Sequence, residues 1–155
     1  IFDPLDPFLM YSGGWDDTIQ VWDFRVGRSV RSLFGPHVCS DSLDIYQKQL
    51  AVGSWRTKDQ LQIWDLRNYQ VSQTFKWKEG KQCLVYGTKF DPTGKFLFAV
   101  GSGFNEIGIF SVETGTQIGE PIVLESPVFS LDMSPDGKEL IAGETKGRIH
   151  CYLIE

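Results

Sequence analysis

The sequence predicts an all-β chain assembled from one repeated antiparallel unit, and three observations carry that expectation. Four stretches align: FLMYSGGWDDTIQVWDFRVG, QLAVGSWRTKDQLQIWDLRN, FLFAVGSGFNEIGIFSVETG and ELIAGETKGRIHCYLIE. Each runs from an apolar segment through a small-residue turn to a second segment closed by an aromatic residue. Those aromatics are Trp22, Trp64, Phe110 and Tyr152, at intervals of 42, 46 and 42 residues. A period of about 40 to 45 residues with a repeated Trp-Asp pair is the signature of a propeller blade. Finally, the long helical patterns that would separate strands in an α/β chain do not occur.

The elements follow in order within each unit. FDPLDP, FDPTGK and MSPDGK precede the apolar segments and supply turn chemistry, Pro presetting φ and Gly accepting a positive one. They join a first strand, a, to strand b, expected at residues 9–12, 50–53, 96–101 and 140–143. Strand c is expected at 18–22, 60–64, 107–110 and 148–152, and a fourth strand, d, completes the unit. Alternation along strand c directs Ile19, Val21, Leu61, Ile63, Ile107, Ile109, Ile149 and Cys151 into a core between blades. His150 then falls on a hydrophilic face, and Cys151 reads as an inert core thiol. The chain is one domain of 155 residues with repeats at about 1–37, 38–81, 82–126 and 127–155. Its 41% hydrophobic content is enough for a sizeable core.

The segment from Ser12 to Asp23 is close to the b–c unit of the WD40-repeat family, and Gly35-Pro36-His37 resembles an interrupted Gly-His element of that family. The resemblance spans nearly the whole chain. It implies a WD40-type β-propeller, here an arc of about four four-stranded antiparallel blades. The family's buried Asp before strand c fits Asp16 only, with Lys58, Phe104 and Lys146 at the matching positions. The Trp-Asp pair decays to Phe110-Ser111 and Tyr152-Leu153. An incomplete Asp-His-Ser-Trp hydrogen-bond network, and more reliance on apolar packing, are therefore expected. Ile1-Phe2-Asp3-Pro4 matches only the end of strand a, and Glu155 follows strand c directly. In the family the outer strand is commonly supplied from near the N-terminus, so the resemblance implies the C-terminal half of a ring of about seven blades, roughly 280 to 315 residues at this period. The N-terminal half of the same chain is then an expected partner; four blades closing on themselves is the alternative.

Trp15 lies two residues after Gly13 in a b–c turn, and Trp55 lies two residues after Gly53 at the same place in the next repeat. Phe104 is near that place in the third. The b–c and d–a loops share one face of a propeller, so adjacent blades are expected to present Trp15, Trp55 and Phe104 together, rimmed by Asp16, Asp17, Arg56 and Lys58. Desolvated Trp with a polar rim is how protein interfaces concentrate binding energy. The family's contacts on this face often use the residue before the buried Asp, here Trp15. The competing reading folds each indole back onto its own blade. If they are anchors, the two indoles are accessible and within about 15 Å, given sheets roughly 10 Å apart.

On the opposite, c–d face, WDFR and WDLR place Arg25 and Arg67 identically in consecutive repeats. Tandem motifs of this kind resemble those by which substrate receptors dock onto cullin-RING ubiquitin ligases; Arg supplies a rigid five-donor fork. The plainer reading pairs each Arg with a neighbouring Asp. His37-Val38-Cys39 is an H-x-C without further ligands for zinc and reads as a loop His beside a strand-a Cys. Asp41 and Asp44 belong to the innermost strand, where one could line a central channel.

A net charge of −5 with no basic tract gives no footprint for nucleic acid, and no apolar run reaches the roughly 18 residues of a membrane span. Three scattered cysteines suit a reducing compartment, cytoplasmic or nuclear. No catalytic set, metal cluster or cofactor motif is expected: GSGF at residues 101–104 lacks the third Gly and following helix of a dinucleotide site. The expected function is a non-catalytic platform for assembling other proteins or peptides. The alternatives are a ubiquitin-ligase substrate receptor, a propeller enzyme with its active residues in the missing half, and an RNA binder, which the acidic balance disfavours.

Overall fold

The computed structural model describes residues 1–154; Glu155, assigned to the fourth repeat, lies outside the described residues. Fourteen strands form four antiparallel sheets. The first holds β1 (Leu9–Gly13), β2 (Thr18–Asp23) and β3 (Arg28–Phe34). The second holds β4 (Leu43–Tyr46), β5 (Gln49–Gly53), β6 (Leu61–Asp65) and β7 (Gln70–Thr74). The third holds β8 (Leu84–Phe90), β9 (Phe96–Ser102), β10 (Glu106–Ser111) and β11 (Ile122–Val123), and the fourth β12 (Val128–Met133), β13 (Glu139–Glu144) and β14 (Ile149–Leu153). Two sheets have four strands and two have three. In the first, strand a is reduced to a bridge between Phe2 and Met10; in the fourth, strand c is the outermost among the described residues.

Local chemistry repeats with the blades. The a–b turns are tied by carboxylates: Asp3 accepts the Leu5 and Asp6 amides, Asp91 accepts those of Thr93 and Phe96, and Asp136 accepts that of Lys138. Each c–d turn closes on a residue in the left-handed region, Gly27, Tyr69 or Gly115, whose amide donates to the carbonyl of Asp23, Asp65 or Ser111. The register shift after Val21 recurs after Ile63.

Adjacent blades meet through three apolar clusters. Tyr11, Ile19, Val21 and Leu33 pack on Leu50, Val52 and Trp64. Ala51, Leu61 and Ile63 pack on Val85, Leu97 and Phe110, with Phe75 and Trp77 edge-on to the Phe110 ring. Phe98, Val100 and Ile107 pack on Leu131, Leu140 and Ala142. Approach is close enough that a Cβ on Gly53 would lie 2.4 Å from Val85 Cγ1.

Three expectations are corrected. Ile149 and Cys151 alternate in step with Leu61 and Ile63, but Ile149 is 76% exposed and Cys151 is exposed too. No blade packs on that side of β14 among the described residues, so Cys151 is a surface thiol rather than a core one. Asp16 is exposed, not buried: its carboxylate caps the b–c turn, accepting from the Thr18 amide and hydroxyl at 3.1 and 2.9 Å. Phe104 does not join the tryptophans, as described below.

The inter-strand hydrogen-bond network is incomplete, for a visible reason. Trp22 Nε1 donates to Ser12 Oγ at 2.8 Å. Val52 stands where a second Ser would be, and the buried Trp64 Nε1 has no partner among the described residues.

Candidate functional site on the b–c face

The turn from Gly14 to Asp17 is held by Asp16 and by Asp17 in the left-handed region at φ 59°. This lifts Trp15 away from its blade, and the side chain is 76% exposed. Asp59, φ 51°, closes the corresponding turn of the second blade, where Trp55 is 42% exposed. Between the indoles stands His37, from the loop joining the blades. Its ring lies 5.9 Å from Trp15 and 6.2 Å from Trp55, which keeps the indoles well inside the expected 15 Å. His37 Nδ1 is 2.8 Å from Asp17 Oδ1, and the His37 amide donates to Ser54 Oγ at 2.9 Å.

Two further aromatics extend the row. Trp55 Nε1 donates to the Tyr86 hydroxyl at 2.9 Å, and Tyr86 meets Phe129 edge-on, centroids 4.7 Å apart. Tyr86 and Phe129 are the unpaired residues of irregularities in β8 and β12, at Val85/Gly87 and Val128/Ser130. A bulge re-aims the side chain it extrudes, and here two equivalent bulges set matching rings beside each other. The Ser40 hydroxyl donates to the Phe129 carbonyl at 3.1 Å, tying the second blade to the fourth beneath the row.

Trp15, His37, Cys39, Trp55 and Tyr86 line a recess of about 150 Å³. Burial raises the pKa of the Cys39 thiol, while the adjacent Trp15 indole pulls it back. Arg56 is not part of this wall; its Nε donates to Ser54 Oγ at 3.1 Å. Phe104 stands apart, with the Lys81 ammonium 5.3 Å from its ring. Its turn takes its positive φ at Gly103, 104°, and has Asn105 where the first two blades have Asp17 and Asp59. Sequence reasoning thus found both tryptophans but missed His37 and Tyr86 as their companions; the apolar-polar period of β8 gives no warning of a bulge.

On the c–d face Arg25 and Arg67 occupy equivalent places and use their forks at home. Arg25 bonds Asp23 through Nε and Nη2 at 2.8 and 2.7 Å, reaches Asp6 at 3.4 Å and covers the Phe8 ring. Arg67 bonds Asp65 at 2.9 and 2.7 Å. The Arg67 hydrogen bonds hold the Asp65 carboxyl at about 2, far below the usual carboxylate range. Both pairs are exposed, so they add little to stability.

On the inner strands Lys89 lies 3.0 Å from Asp132 and 3.8 Å from Asp44. Burial raises the pKa of Asp44, against the Phe90 amide donated to it at 2.8 Å. Asp41 is exposed beside this ladder. Among the described residues no group of three or more His, Cys, Asp or Glu side chains is placed to hold a metal ion. None of the described helices is long and apolar enough to cross a membrane.

Four antiparallel sheets packed face to face in sequence order define a partial β-propeller. The family described as "WD domain, G-beta repeat" matches residues 1–23, within the first blade. Its fold superposes on a chain of the "Mitotic Checkpoint Complex" structure with a TM-score of 0.80 at 19% identity, covering 96% of this chain and 48% of that one. For the "WD40 beta propeller domain of Doa1" the TM-score is 0.76 at 18% identity, covering 96% and 47%. The "computationally designed Ika4 protein" gives 0.77 at 19%, covering 97% and 88%. Among curated relatives, "Periodic tryptophan protein 2" of Saccharomyces cerevisiae is 29% identical over 78% of this chain and 11% of its own length. Its homolog in Dictyostelium discoideum is 27% identical over 93% of this chain and 15% of its length. "Autophagy-related protein 16" of Arabidopsis thaliana is 20% identical over 94% and 28%. The chain therefore spans only a small part of the curated relatives it matches.

Proposed function

We propose that this chain is a non-catalytic platform that binds other proteins through its b–c face, with Trp15 and Trp55 as anchors and Asp16 and Arg56 around them. The observation that carries this reading is two large indoles from adjacent blades held open to solvent on one face. A large apolar ring with a polar rim is the residue type and setting in which interfaces concentrate their energy. The described cysteines carry no disulfide, in keeping with work in a reducing compartment of the cell, cytoplasm or nucleus. A likeness to a chain solved within a "Mitotic Checkpoint Complex" agrees with a role in assembly. Docking to a ubiquitin-ligase adaptor through Arg25 and Arg67 draws no comparable support, because each fork is occupied by its own aspartate.

The test is affinity purification with mass spectrometry of the protein from its own cells, beside a Trp15→Ala/Trp55→Ala variant of unchanged melting temperature. Selective loss of one set of partners is the expected result. An unchanged partner list overturns the assignment and returns both indoles to a local packing role.

A further inference from the structure

The recess between Trp15 and Tyr86 has the chemistry of a cation receptor. Three of its five lining residues, Trp15, Trp55 and Tyr86, carry electron-rich rings, and His37 fills the space between the indoles. Such rings attract a cation through the negative face of the π system. One donor that would favour an anion is already committed: Trp55 Nε1 bonds the Tyr86 hydroxyl at 2.9 Å. The two turns that carry the indoles hold Asp16, Asp17 and Asp59 against Arg56 and Lys58, a net negative set, with Asp17 bonded to the imidazole at 2.8 Å. The Arg56 guanidinium is tethered to Ser54 and is not part of the wall.

Size narrows the ligand. About 150 Å³ is the liquid volume of roughly five waters, well below the roughly 300–1,000 Å³ of sites for drug-sized molecules. It suits an alkylated ammonium head and the first methylenes of its stem. An unmodified ammonium is strongly hydrated and gives up its water less readily to a pocket with few free acceptors. Added methyl groups weaken that hydration and supply apolar surface to the rings, while the charge remains.

We propose that the recess formed by Trp15, His37, Trp55 and Tyr86 receives the Nε-methylated lysine side chain of a partner protein. This rests on the reading of the b–c face as a partner-binding surface and names the group that enters it. Asp16 and Asp17 then face basic residues flanking the modified lysine.

The test follows the Trp15 and Trp55 indole N–H resonances of the purified protein at pH 8. The probes are choline, its neutral isostere 3,3-dimethylbutan-1-ol, and one basic peptide carrying lysine or trimethyllysine. Choline is expected to shift both resonances, with the isostere at least tenfold weaker, about 1.4 kcal/mol and within reach of cation–π attraction. The trimethyllysine peptide is expected to bind at least tenfold more tightly than both its unmodified form and choline. Trp55→Phe keeps a ring and retains most of the affinity, whereas Trp55→Ala loses it at unchanged melting temperature. Equal binding of choline and its isostere overturns the proposal in favour of a plain apolar pocket; so does a peptide indifferent to methylation. Choline bound as tightly as the peptide points to a free quaternary ammonium and also overturns it. If cellular partners are lost on Trp15→Ala/Trp55→Ala yet are not displaced by the trimethyllysine peptide, the binding face stands and this assignment of its ligand fails.

Discussion

Three thiols on one chain separate sharply by environment. Cys83 is fully buried between the second and third blades, and burial with the nearby Glu106 carboxylate pushes its thiol up to about 12. Only the thiolate attacks an alkylating reagent, so at pH 8 on the order of one Cys83 in ten thousand is reactive, before access is considered. Cys39, at the back of the aromatic recess, is also held above the ordinary thiol range by burial. Cys151 is exposed. Iodoacetamide at pH 8 is therefore expected to label Cys151 first and Cys39 more slowly, and to reach Cys83 only in denaturant, as read by intact and peptide mass spectrometry. Labelling of Cys83 at the rate of Cys151 would contradict the packing of the second and third blades. The sequence showed which face of the strand Cys151 is on, because alternation fixes that. It could not show whether anything covers that face.

The same distinction operates at the level of the strand. Leu61 and Ile149 hold one register position, each opposite a glycine of strand b, Gly53 and Gly143. Leu61 is fully buried between blades while Ile149 is 76% exposed. Leu61→Ala is expected to cost about 2–5 kcal/mol, the range for deleting a core aliphatic group. Ile149→Ala should stay within about 0.5 kcal/mol, as a surface change does. Urea unfolding of the two variants decides it, and equal losses would mean that β14 is covered in solution. Strands b and c were legible to within about a residue because their alternation is regular. The bulges that turn out Tyr86 and Phe129 were not legible: each is one extra residue in an apolar run, and its register is fixed only by the partner strand. The site was accordingly half readable, its tryptophans visible as a repeat and its other two rings hidden in backbone geometry.

At the scale of the molecule the repeat period forecast the arc, and the count of strands forecast its two short end sheets. The consequence is a pair of open ends. On the fourth blade Ile141, Ile149 and Leu153 are exposed on one face, and β14 has no outer partner among the described residues. At the other end Phe2 and Phe24 form a tilted pair with centroids 6.0 Å apart, both exposed, and Phe34 is exposed as well. An unpaired edge beside an apolar face is a template for association. Sedimentation of the isolated 155-residue chain is expected to show reversible, concentration-dependent self-association. Ile149→Lys/Leu153→Lys should weaken it, because each added ammonium would lose hydration on burial against a second apolar face. The substitutions lie outside the three clusters that join the blades, so the melting temperature of the monomer should hardly move. A chain that stays monomeric at every concentration would instead require its end faces to be satisfied within one molecule, by a closure that the exposed Ile149 and Leu153 side chains do not contain.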